Sequence, residues 1–159
     1  MNRYILAALV CAAFAVAEAL TAGRGVREFM QSLKQPRWSL PLPAWYGVGL
    51  LFYLVCYSVL VSLWRTHIST PPEFWLLVSV MAANADWNWF FFRRRDLRKS
   101  FRASLVYSVF VLVLLVRLFS SALPARWTLL AYACYLPYSW FWTYQVWRLN
   151  ENLPTVASA

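Results

Sequence analysis

Five long apolar runs alternate with short polar joints along this 159-residue chain. They cover residues 4–22, 44–64, 73–92, 103–122 and 127–147. A helix needs ~20 apolar residues to cross a ~30 Å hydrocarbon core, and each run meets that length. The runs are too long and continuous for barrel strands, and a backbone in lipid must satisfy its own polar groups. The pattern therefore predicts an all-α integral membrane protein, a five-transmembrane-helix bundle forming a single domain over residues 1–159. The first run has a rival reading. Arg3, an apolar stretch and Ala15-Val16-Ala17 before Glu18 resemble a cleavable signal peptide. The run continues to Ala22, which favours a retained helix with Glu18 as an intramembrane carboxyl.

The third run ends in Asn84-Ala85-Asp86-Trp87-Asn88-Trp89-Phe90-Phe91-Phe92, closed by Arg93-Arg94-Arg95. Three polar side chains and five aromatics in nine residues are unusual for a lipid-facing segment. At ~100° per residue Asn84, Trp87, Asn88 and Phe91 share one helical face and Asp86 points nearly opposite. Two amides and two rings on one face suit an amphipathic planar ligand. The competing reading, which periodicity alone favours, is that this face packs on other helices and the amides bond across them.

The joints carry their own signals. Residues 23–43 form the longest loop, in which Pro36, Pro41 and Pro43 predict an extended, semi-rigid path past Trp38. Such a loop is either a lid over the bundle mouth or an interfacial anchor through Trp38. In the second run Tyr46, Gly49, Tyr53 and Tyr57 make one stripe, and Gly47 and Gly49 allow close approach by a neighbour. The joint holding His67, Ser69 and Thr70 turns at Pro71-Pro72, with Glu73 in the first turn of the next helix. Pro137 predicts a kink in the fifth run, where Tyr138, Trp142, Gln145 and Leu149 share a face. The tail after Asn150 is expected to fray.

Composition sharpens the class. The hydrophobic fraction is 62% against 13% charged, where soluble domains run at ~45–50% and ~25%. Ten Trp, nine Tyr and eleven Phe exceed what interfacial belts need, and predict rings lining an interior. A net charge of +9 would fit nucleic acid, but the basic residues cluster in joints between apolar runs, which is a topology signal and excludes a nucleic-acid partner. One side carries Arg3, Arg65 and Arg126. The other carries Arg24, Arg27, Lys34, Arg37, Arg93, Arg94, Arg95, Arg98, Lys99, Arg102 and Arg148. The second side, with loops 23–43 and 93–102 and the carboxyl terminus, is thereby cytoplasmic; inner or outer bacterial membrane is not resolved by this signal. At 1.5 Å per residue Asp86 lies roughly 10 Å inside the boundary at Arg93, and Arg117 roughly 21 Å from that at Arg102. A direct bridge is not expected, and Arg117 snorkels to the far side.

Chemistry is sparse. Cys11, Cys56 and Cys134 sit inside apolar runs without metal spacing and read as buried small hydrophobes. His67 is the single histidine, and no catalytic set or metal site assembles.

The order of pieces resembles the tryptophan-rich sensory protein/translocator protein family, the TspO/MBR group, from about Leu33 to Asn150. Leu33-Lys34-Gln35-Pro36-Arg37-Trp38 with Pro41 is similar to the family's L-x-x-P-x-W-x-x-P segment. Tyr53 falls at the Tyr of W-x-x-L-Y. Asn84, Trp87, Phe91 and Phe92 match N-x-x-W-x-x-x-F-F, and Pro137-Tyr138, Trp142 and Leu149-Asn150 are similar to the helix-five pattern. Departures are Gly49 at the W-x-x-L-Y Trp position, with Trp45 four residues earlier, Phe29-Met30 for a common Trp-Tyr pair, Ala and Thr for helix-one glycines, an early stop near Asn150, and Asp86 inside the central motif.

The resemblance implies a five-helix bundle, often a homodimer, with a pocket opening towards the first loop. It implies membrane lipid and a tetrapyrrole (porphyrin or haem) or sterol-like small molecule as partners. No other cofactor is required, and the animal-type cholesterol motif does not fit helix five. The leading reading is a binding or sensory protein holding its ligand among Trp38, Tyr53, Asn84, Trp87, Asn88, Tyr138 and Trp142. No catalytic and no metal-ligating residue is assigned, and a haem would be held by shape. The second reading is a structural subunit of a larger membrane pigment-protein complex. A porphyrin-degrading enzyme ranks third, since no acid–base pair is in view.

Overall fold

A computed structural model describes residues 2–66 and 72–151. The joint at His67, Ser69, Thr70 and Pro71 and the tail from residue 152 lie outside the described residues. Helix α1 (Arg3–Ala22) starts where the Asn2 side chain accepts a hydrogen bond from the Tyr4 N–H at 3.0 Å. It stops at Gly23, whose φ of +76° turns the chain as few other residues can. Then come α2 (Val26–Ser32), α3 (Leu42–Thr66) and α4 (Pro72–Asn88), which runs into a π-helical turn (Trp89–Arg93). Helices α5 (Leu97–Ser120), α6 (Arg126–Ala133) and α7 (Leu136–Leu149) complete the described chain.

Three helices, α1, α3 and α5, are each long and apolar enough to cross a membrane. The other two predicted spans are composite. The third run is α4 plus the π turn. The fifth is α6 and α7, separated at Cys134-Tyr135, with Pro137 in the first turn of α7, where its missing N–H costs nothing. The five columns form a ring in the order α1, α3, α6/α7, α5, α4 and back to α1.

Packing divides this ring into two halves. In the half away from the first loop, Val59, Leu60, Leu63, Leu77, Val80, Met81, Val111, Leu114 and Leu118 form a continuous buried core. Arg117 reaches that end as expected. Its Nε and Nη2 lie 3.1 and 2.9 Å from an oxygen of Glu73, a buried side chain in the first turn of α4. The half next to the loop is held differently: Phe29, Met30 and Leu33 pack with Phe91, Leu97, Trp142 and Val146.

Several local expectations are corrected. The first loop is not all extended; it contains α2, seven residues long, too short to register as an apolar run. Its spacing of Phe29, Met30 and Leu33 is what buries it. The Pro36 stretch makes a turn, with Ser39 N–H donating to the Pro36 carbonyl at 3.0 Å. Cys11 and Cys56 are buried, but Cys134 is exposed, because the α6–α7 break carries it to the outer surface. Gly47 and Gly49 admit no close neighbour: a Cβ on either would meet nothing within 4 Å.

Candidate ligand-binding site

The hollow half of the bundle encloses a cavity of about 410 Å³. Its wall comes from the carboxyl-terminal end of α1, the amino-terminal half of α3, the end of α4 and its π turn, α2, α5 and the α6–α7 column. The centre of the wall is a carboxyl group. Glu18 Oε2 accepts hydrogen bonds from the Tyr53 hydroxyl at 2.6 Å and from Asn84 Nδ2 at 2.7 Å, and Oε1 accepts from Asn88 Nδ2 at 2.8 Å. Asn88 Nδ2 also bonds the Asn84 carbonyl at 3.0 Å. Three helices thus meet on one side chain. The one-turn spacing of Asn84 and Asn88 along α4 puts both amides on the α1-facing side.

Around this cluster stand rings. Trp87 stacks on Phe91 at 5.1 Å and 17°. Trp45 and Trp142 lie 4.3 Å apart, and both line the cavity. The indole N–H groups of Trp45 and Trp87 are buried and have no hydrogen-bond partner among the described residues. Both nitrogens are covered by the surrounding side chains, so it is the ring faces and edges of Trp45 and Trp87 that the wall offers to an occupant. The π turn contributes by letting Arg94 N–H reach the Trp89 carbonyl at 2.9 Å, which keeps Phe91 aimed inward against Phe29 and Trp142.

The structure sorts the sequence-derived residues into two groups. Tyr53, Asn84, Trp87, Asn88 and Trp142 line the cavity. Trp38 and Tyr138 do not line it; they fasten the loop. The Tyr138 hydroxyl receives the Leu40 N–H at 3.2 Å, and Trp38 stacks on Phe141 at 5.1 Å. Two further ties act with them. Trp142 Nε1 donates to Ser39 Oγ at 2.8 Å. Asn150 Oδ1 accepts from Lys34 N–H while its Nδ2 donates to the Lys34 carbonyl, both at 2.9 Å. The loop is therefore stitched to α7 along much of that helix, and α2 adds Val26 and Met30 to the cavity wall. Replacing Asn150 by alanine removes both Lys34 bonds, about 1–2 kcal/mol in all. The expected result is faster amide exchange confined to residues 33–41, with the helices unchanged.

Sequence reasoning missed Glu18 and Trp45. The signal for Glu18 was present, since a carboxyl inside a membrane span is by default a functional candidate. Trp45 had a weaker one, standing one turn before Gly49. In the structure Gly49 faces the cavity. Among the described residues no group of three His, Cys, Asp or Glu side chains is arranged to hold a metal ion.

The sequence model of the TspO/MBR family matches residues 6–148. The chain belongs to the TspO/MBR family. It is an integral membrane protein, as its apolar helices require. No curated protein matches it. Five of the residues that carried the resemblance to TspO/MBR proteins, Tyr53, Asn84, Trp87, Phe92 and Trp142, meet at the cavity. Gly49 offers no ring to the wall, and Glu18 sets a carboxyl in it.

Proposed function

We propose that this TspO/MBR protein binds a tetrapyrrole, or a planar hydrophobic molecule of similar shape, in the cavity around Glu18. The polar cluster of Glu18, Tyr53, Asn84 and Asn88 in a cavity walled by the rings of Trp45, Trp87 and Trp142 carries this reading. A volume of about 410 Å³ is in the range of small-molecule sites. Trp45, Trp87 and Trp142 would stack on or edge the ligand, and the Glu18 cluster would orient it. Haem would be retained by shape, since among the described residues neither His nor Cys stands in the wall. The arginine bias supports a cytoplasmic side for the carboxyl terminus and loops 23–43 and 93–102, which would put the cavity in the cytoplasmic half.

The test is a protoporphyrin IX titration of detergent-purified protein read by Trp quenching. Saturable binding at micromolar or better is expected, lost in Asn84→Ala/Trp87→Phe. Gly49→Phe separates binding from folding. Its added Cβ meets no neighbour, and removing a mid-helix glycine stabilises by about 0.5–1 kcal/mol. The ring enters the cavity, so binding should weaken at least tenfold with thermal stability kept or raised. Unchanged binding in Gly49→Phe would place the ligand elsewhere.

One observation favours a second reading, a subunit or oligomer contact. Asp86 is exposed on the bundle's outer face and makes no hydrogen bond or ion pair with another described residue. A carboxyl at that depth calls for a protein neighbour or water. If that neighbour is a second copy, Asp86→Leu should shift the particle size in mild detergent without touching porphyrin affinity.

A further inference from the structure

A second recess of about 320 Å³ adjoins the cavity and shares Ala22, Gly23 and Phe92 with it. Its remaining wall is Arg24, Arg93 and Arg95. None of the three arginines pairs with a described carboxylate. Two backbone features bear on Arg93 and Arg95. Gly23, at φ +76°, leaves Arg93 Nη1 only 3.4 Å from where a Cβ would stand. Arg95 takes a left-handed φ of +52°, which a residue with a side chain adopts at a cost of about 1–2 kcal/mol. Its guanidinium rests 5.0 Å over the Phe29 ring of α2. A stop-transfer patch needs only charge, and Arg98, Lys99 and Arg102 provide that; it needs no left-handed arginine at the rim of a cavity.

The charges also set a polarity. Glu18 lies one helical turn inside Ala22 with both oxygens already taken by Tyr53, Asn84 and Asn88, so the free cationic donors near the cavity stand at its rim. Building on the ligand-binding reading above, we propose that the ligand is anionic along one edge. Its apolar body lies between Trp45, Trp87 and Trp142, and its carboxylates sit on Arg24, Arg93 and Arg95. Guanidinium groups bind carboxylates with paired, charge-assisted hydrogen bonds, so the rim selects flat carboxylates over neutral sterols.

The experiment compares protoporphyrin IX with its dimethyl ester in phosphatidylcholine nanodiscs, for the full chain and for Arg24→Gln/Arg93→Gln. The native chain should bind the acid tighter than the ester on the order of tenfold, and the variant should bind both at the ester's affinity. Equal native affinities for acid and ester overturn the rim assignment and leave the cavity reading standing. Binding of neither overturns the cavity reading, and the rim assignment with it. If the variant does not fold, the acid–ester comparison on the native chain still decides. Phosphatidylglycerol in the nanodisc distinguishes the other source of anions: an acid preference abolished by that lipid overturns the proposal and assigns the recess to lipid phosphate.

Discussion

Glu18→Leu is expected to be among the most damaging single substitutions in this bundle. It strips the acceptor from the Tyr53 hydroxyl and the Asn84 and Asn88 amides at once. Inside membrane proteins a side-chain hydrogen bond averages ~0.6 kcal/mol and reaches ~1.7, and stranded donors add desolvation cost, so the loss is about 2–4 kcal/mol. The thermal midpoint should fall by about 5 °C or more. Leucine nearly conserves volume, so packing loss is not the cause. Glu18→Gln should fall between, because its amide oxygen still accepts from two donors while its NH2 faces a third. Native-like stability in Glu18→Leu would mean that the cluster joining α1, α3 and α4 contributes nothing to the fold.

Trp142→Ala carries the other large effect. The side chain is 1% exposed, touches Trp45 and Phe91, and donates to Ser39 Oγ in the loop. Truncating a buried Trp costs about 3–5 kcal/mol. The loss has a place as well as a size: the stitch to Ser39 goes, so trypsin should cut after Arg37 many times faster than in the native protein. Trp142→Phe drops the N–H and one of the two fused rings but keeps an aromatic side chain in place, at about 1–3 kcal/mol. It should loosen the loop without unfolding the bundle. Equal trypsin rates in all three proteins would remove the loop from the account of the site.

The membrane fold was legible because apolar run length is set by bilayer thickness, a constraint that needs no tertiary knowledge. What periodicity could not show was the interruption of those runs. The π turn at Trp89–Arg93 keeps the same residues in the same order and changes only which carbonyl each N–H reaches. Helix α2 is legible only once the α4 and α7 faces it packs against are known. At the site, Asn84, Trp87 and Asn88 were visible together because one helix carries them. Their partner Glu18 stands 66 residues before Asn84. Nothing in spacing links residues so far apart, and Asp86, the carboxyl that stands between the two amides in sequence, is exposed in the structure. Trp38 and Tyr138 have the right chemistry for a binding wall, and the same chemistry serves to fasten a loop.

The most direct test of the central claim is the indole N–H spectrum of the nitrogen-15-labelled protein, with and without protoporphyrin IX. A porphyrin seated around Glu18 should shift the Trp45, Trp87 and Trp142 signals strongly and leave Trp64, Trp75 and Trp127, outside the cavity wall, in place. Shifts confined to the latter three, or none on a protein shown to be folded, would contradict it.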